Sequence, residues 1–124
     1  MTDTNNKIYD LTERTAVFGE RVIFFVQKMP KNLITLPLLS QLIRSGTSVG
    51  ANYCEADHAE SRKDFEHKIG ICKKEANETK YWLRLIAKAV PEQRSDIVSL
   101  WREADELRRI FISTILTSQK KQIK

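Results

Sequence analysis

The chain has 124 residues, 41% of them hydrophobic and 30% charged, with four Gly and three Pro. That length predicts one domain that buries roughly two-thirds of its unfolded-chain surface, so disulfides or a structural metal are not required. The net charge is +5. No apolar run approaches the roughly 20 residues that cross a bilayer, and with a polar start and two Cys outside any Cys-x-x-Cys pair the expectation is a cytoplasmic chain with reduced thiols.

The first segment places Ile8, Leu11, Thr15, Phe18, Val22, Phe25 and Met29 at alternating steps of three and four, the spacing of one helical stripe. Asp10 is positioned to cap this helix, with Glu13 reaching back. Pro30 forces the chain out of the helical region, so the helix is predicted over 11–29, with 1–8 as a flexible tail.

Leu36, Leu39, Leu42 and Ile43 open a second helix, predicted over 34–59. It runs through Ser45-Gly46-Thr47-Ser48-Val49-Gly50-Ala51-Asn52, which has the composition of a loop, since each Gly costs a helix about 1 kcal/mol. A phosphate-binding loop is excluded, because Gly50 is followed by Ala51 rather than by Lys and no strand precedes it. Gly46 and Gly50 instead stack on one helical face and predict close approach of another backbone.

Phe65, Ile69, Cys72, Ala76, Thr79, Leu83, Ile86 and Val90 define a third helix over 62–89, started by Ser61-x-x-Asp64 and stopped by Pro91. Ile97, Leu100, Ala104, Leu107, Phe111 and Thr114 define a fourth over 92–119, with 119–124 as a second flexible tail. Four amphipathic segments joined by short turns predict an all-α bundle in a single domain spanning 1–124.

Leu42 to Tyr53 with Glu55-Ala56, then Ala59-Glu60-Ser61-x-Lys63-Asp64-Phe65-x-His67-Lys68-Ile69 and Lys74-Glu75-Ala76-x-Glu78-Thr79-x-Tyr81-Trp82-Leu83, carry a family pattern. It resembles the four-helix-bundle proteins encoded in intervening sequences of bacterial large-subunit (23S) ribosomal RNA genes, over roughly residues 8 to 118. The resemblance implies an antiparallel up-and-down bundle and a ring-shaped homopentamer, similar to the accessory protein of diversity-generating retroelements. That relative has a basic surface and works with nucleic acid and a reverse transcriptase.

Arg44, Ser48, Asn52 and Glu55 form one polar stripe on the second helix. Glu75, Glu78 and Thr79 on the third are placed to accept from Arg44 or Asn52 and to fix register between helices or subunits. With Gly46, Gly50, Tyr53 and Trp82, these residues are assigned to helix packing or oligomer contacts.

No metal, cofactor or catalytic constellation is predicted. Cys54 and His58 are four apart, but His67 and Cys72 are five apart and on different faces, and Cys72 occupies a core position. The carboxylates alternate with Lys and Arg as solvated helix faces do, and no Glu-x-x-His recurs.

The charge distribution is the functional lead. Residues 62–90 carry +4 and residues 91–124 carry +2. Lys73, Lys80, Arg84 and Lys88 fall within about 80° of one another at the helical turn angle and predict one cationic edge. Arg62, Lys63, Arg108, Arg109 and the tail residues Lys120, Lys121 and Lys124 extend it, and Tyr81 or Trp82 lies near enough to stack on a base. These residues predict binding of RNA or another nucleic acid by a non-enzymatic oligomer. The alternative is a scaffold that presents its surface to a partner enzyme such as a reverse transcriptase.

Overall fold

The computed structural model describes residues 10–123. The first nine residues, including the predicted tail 1–8, and Lys124 lie outside that range. The described residues form α1 (Leu11–Lys28), α2 (Thr35–Asp57), α3 (Arg62–Ala89), a 3-10 turn (Pro91–Gln93) and α4 (Arg94–Ile123). No strand occurs among them.

The helix ends follow local chemistry. The Asp10 carboxylate accepts from the Glu13 amide at 3.1 Å, while the expected return contact from the Glu13 side chain to Asp10 is not made among the described residues. Lys31 closes α1 by donating to the carbonyls of Val26, Gln27 and Met29. Asn32 Oδ1 then accepts from the Ile34 and Thr35 amides, so a side chain from the turn caps α2. Ser61 Oγ accepts from the Asp64 amide at 3.0 Å at the start of α3. The fourth helix differs from its predicted bounds at both ends. Pro91–Gln93 tightens into a 3-10 turn first, and the helix continues to Ile123, so the predicted tail from 119 is helical as far as that residue. No Gly or Pro lies between Arg94 and Lys124 to stop it.

Residue pairs give the helix directions. Thr15 lies against Gly50 and Val22 against Gly46, Arg44 meets Glu75 while Glu55 meets Lys68, and Lys80 meets Asp105 while Glu66 meets Ser118. Each pairing rises on one helix and falls on the next, the antiparallel sense. The core contains Phe18, Leu42, Ile69, Leu83, Leu107 and Phe111, each at most 1% exposed. Between α1 and α4 the polar contacts run along the seam: Arg14 bridges Glu103 and Glu106, Arg21 donates to Ser99, and Lys28 pairs with Asp96.

The two glycines of α2 face α1 inside the chain. A Cβ on Gly46 would lie 2.9 Å from Val22 Cγ2, and one on Gly50 would lie 3.2 Å from the Thr15 carbonyl oxygen. Close approach therefore brings these two helices of one bundle together. Gly70 is the contrast, since a Cβ there meets nothing within 4 Å. Gly70→Ala is expected to stabilise the fold by about 0.5–1 kcal/mol through helix propensity alone. Thermal unfolding checks this, with a rise of about 2–6 °C predicted and a fall contradicting open space at that position.

Candidate nucleic-acid interface

The polar stripe on α2 divides into three parts. Arg44 donates to Glu75 and Glu78 on α3, Trp82 Nε1 donates to the same Glu78 at 3.0 Å, and Glu55 accepts from Lys68 at 2.6 Å. Ser48 and Asn52 instead donate to the carbonyls of Arg44 and Ser48, one turn back on their own helix. The expectation that Asn52 reaches α3 is therefore corrected: its amide is satisfied locally. Thr79 hydrogen-bonds the buried hydroxyl of Ser45 at 3.0 Å, a pairing the sequence reading missed because Ser45 lies among residues of loop-like composition. Tyr53 packs against the core 6.4 Å from the Phe111 ring, and burial raises its phenol pKa. All of these contacts lie within one chain.

Cys72 is fully buried, and burial pushes its thiol up to about 12, as expected of a small core residue. Cys54 and His58 are exposed, and the His58 ring nitrogen Nδ1 lies 3.0 Å from the Cys54 carbonyl oxygen. Among the described residues, no group of three or more His, Cys, Asp or Glu side chains is arranged to hold a metal.

The predicted cationic edge is rearranged by one carboxylate on α4. Asp105 accepts from Lys80 at 2.7 Å, from Arg108 at 3.0 Å and from Arg109 at 3.1 Å. Lys80 thereby turns into the seam between α3 and α4, with its side chain 16% exposed and its ammonium 4.4 Å from the Trp101 ring centroid. Lys80 is thus not part of a free cationic edge, and Arg108 is drawn into the same node, although Arg109 keeps 72% of its side chain in water. Trp101, 38% exposed beside Lys80, was not selected by sequence, since its partner lies 21 positions away on another helix.

Three cations around one carboxylate hold Asp105 at about 2, with the Lys80 hydrogen bond the largest cause and the Arg108 hydrogen bond next among the favourable ones. A folded-state value below the usual 3.8 means that stability from this node is complete above about pH 4 and is lost as pH falls towards 2. Asp105→Asn is expected to cost about 1–2 kcal/mol at neutral pH, because Lys80 loses its carboxylate. The deficit should shrink towards pH 2. Urea midpoints at the two pH values check this, and a deficit that stays constant would contradict it.

The unpaired cations lie one step further around α3. Lys63, His67, Lys74, Asn77, Tyr81, Arg84 and Lys88 are exposed and recur at steps of three, four and seven along its outermost line. One carboxylate shares that line: Glu66, about five turns before Arg84 at the same helical angle, accepts from Ser118 on α4, while Lys63, Lys74, Arg84 and Lys88 form no ion pair among the described residues. The line is about 37 Å long at a rise of about 1.5 Å per residue. Lys74 was missed by the sequence reading, whose stripe passed through Lys73 and Lys80. Lys73 is half-buried and flanks the line on the α4 side, towards which Lys80 also turns.

The remaining predicted residues group at the far end of α3. Arg62, Arg109 and Lys121 line an open cleft over Phe65 and Ile110, where Arg62 donates to the Ser118 carbonyl, and Lys120 is exposed near the end of α4. Exposed apolar side chains gather near the other end of the bundle, where the Lys28 ammonium also lies 5.2 Å from the Phe24 ring centroid. Phe24, Leu33, Ile34 and Leu36 are exposed around the α1–α2 turn, Leu33 at 92%.

The fold and these surfaces define a small four-helix bundle whose distinctive chemistry lies on the outside of one helix. The chain belongs to the 23S rRNA-intervening sequence protein family, whose pattern matches residues 6–113. It is also similar to a crystallised protein of unknown function from the S23 ribosomal protein family of Bacteroides thetaiotaomicron. The two are 33% identical, with a TM-score of 0.75 over 84% of this chain and 96% of that one. No curated protein matches. No helix of the described residues is long and apolar enough to cross a membrane.

Proposed function

We propose that this protein is a non-enzymatic, self-associating bundle of the cytoplasm that binds RNA or another nucleic acid through the outer face of α3 and the adjoining face of α4. The observation that carries this reading is the exposed line of Lys63, Lys74, Arg84 and Lys88, none of them in an ion pair among the described residues. Arg14, Lys28, Arg44, Lys68 and Lys80 are matched by carboxylates, and although Arg94 and Arg102 on α4 are also exposed and unmatched among the described residues, the α3 line sets four such cations along one helix face for a polyanion. The test is a titration of labelled RNA across salt. Binding near 50 mM salt that weakens steeply by about 200 mM is expected, and no binding at low salt would overturn the reading.

Self-association is supported by the exposed apolar side chains near the α1–α2 turn. The Gly face and the polar stripe of α2 are spent on α1 and α3 within the chain, leaving Phe24, Leu33, Ile34 and Leu36 exposed for a second copy. Light scattering is expected to give about five times the mass of the chain, the pentamer implied by the resemblance, and Phe24→Glu with Ile34→Glu should reduce it. The same patch favours the second reading, a scaffold for a partner such as a reverse transcriptase. A parent protein that binds no RNA at low salt but captures such a partner, with capture lost in these variants, would select the scaffold, which has no direct nucleic-acid binding.

A further inference from the structure

Three aromatic residues are exposed among the described residues, one each on α1, α3 and α4. Phe24 on α1 lies under the Lys28 ammonium, whereas Tyr81 on α3 and Trp101 on α4, 53% and 38% exposed, flank the seam where Lys80 meets Asp105. Tyr81 lies on the outer line of α3, with Asn77 one turn before it and Arg84 three residues after. Its ring is held against Trp82 in an edge contact, with centroids 5.0 Å apart and planes at 70°. The antiparallel register that sets Lys80 against Asp105 brings Trp101, four residues before Asp105, level with Arg84. Arg84 is thus near Tyr81 in sequence and level with Trp101 in the register, is exposed, and has no carboxylate partner among the described residues.

Duplex phosphates need only the cations, because paired bases are stacked on one another and offer no open face to a ring. Unpaired bases do, and every base has a face that stacks on an aromatic side chain. The setting of α3 also disfavours a duplex. A helix with its side chains is about 10–12 Å across and the major groove about 12 Å wide, while α3 is flanked by α2 and α4. It presents a ridge rather than a projecting rod.

We infer that the ligand of this face is single-stranded nucleic acid, with its phosphates along Lys74, Arg84 and Lys88 and its bases stacked on Tyr81 and Trp101. This inference rests on the proposed polyanion-binding role of α3 and adds which polyanion the face takes. Ribose and deoxyribose strands share this chemistry.

The experiment uses fluorescein-labelled oligouridylate and oligothymidylate of about 12 nucleotides, with an RNA duplex of equal length as the comparison, at one salt concentration. Both single strands are expected to bind more tightly than the duplex. Tyr81→Ala and Trp101→Ala should each weaken single-strand binding by about 5- to 100-fold, the range for loss of one stacked base, while leaving duplex affinity and the salt slope unchanged. Tyr81→Phe keeps the ring and should bind as the parent does. Trp101 also packs beside Lys80, so urea midpoints accompany its variant, and Tyr81 supplies the test free of that contact. Equal or tighter binding of the duplex, or single-strand affinity untouched by Tyr81→Ala, overturns the inference and leaves the cationic role of α3 standing. Binding of none of the three probes overturns both.

Discussion

Gly46→Leu is expected to remove about 3–5 kcal/mol of stability, a large share of the 5–15 kcal/mol that holds a typical domain. Even an alanine Cβ at this position would lie 2.9 and 3.1 Å from the two γ-methyls of Val22, and Val22 is fully buried on α1. Leucine adds three further carbons where the helices are already in contact, so they must separate. Gly50→Leu should behave similarly, because its nearest neighbour is the Thr15 carbonyl, a backbone atom that has no rotamer to change. Adding Val22→Ala to the Gly46 variant should restore part of the loss. Urea midpoints decide the matter, and an unchanged midpoint for Gly46→Leu would contradict the close approach of α1 and α2.

Lys74→Glu, Arg84→Glu and Lys88→Glu together are expected to weaken affinity for single-stranded RNA by at least about 100-fold near 50 mM salt. They should also flatten the slope of log affinity against log salt by about 2, as loss of three phosphate contacts requires. All three residues are exposed and without ion-pair partners among the described residues, so the fold should be little changed. Lys80→Glu makes a poor probe by comparison, because it sets a carboxylate against Asp105 and Trp101 and damages the seam itself. The triple variant is read by anisotropy titration beside its urea midpoint. Parent-like affinity would show that the outer line of α3 is an ordinary solvated face.

Local chemistry made the bundle legible. Alternating steps of three and four set the buried stripes, Asp10 and Ser61 mark helix starts, and Pro30 and Pro91 interrupt the chain as residues that cannot continue a helix. Gly46 and Gly50 were legible as a contact face, although their partner was not, since spacing on α2 gives no account of Val22 or Thr15. The cationic surface was only half legible for the same reason. Angles around a single helix group Lys73, Lys80, Arg84 and Lys88, but Asp105 on α4 withdraws Lys80, and the free line shifts to Lys74 and Tyr81. Pairing between helices separates a buried ion pair from a free cation, and it exists only once the helices are packed. Trp101 escaped notice on the same ground.

On the proposed reading, nucleic acid lies along the outside of α3. Ultraviolet cross-linking of oligouridylate to the intact protein, with adducts mapped by mass spectrometry, tests this most directly. Adducts at Tyr81 and Trp101 and on the peptides spanning Lys74 to Lys88 are the predicted result. Adducts confined to the α1–α2 turn around Phe24, Leu33 and Ile34, or the same α3 adducts in the Lys74, Arg84 and Lys88 triple variant, would contradict it.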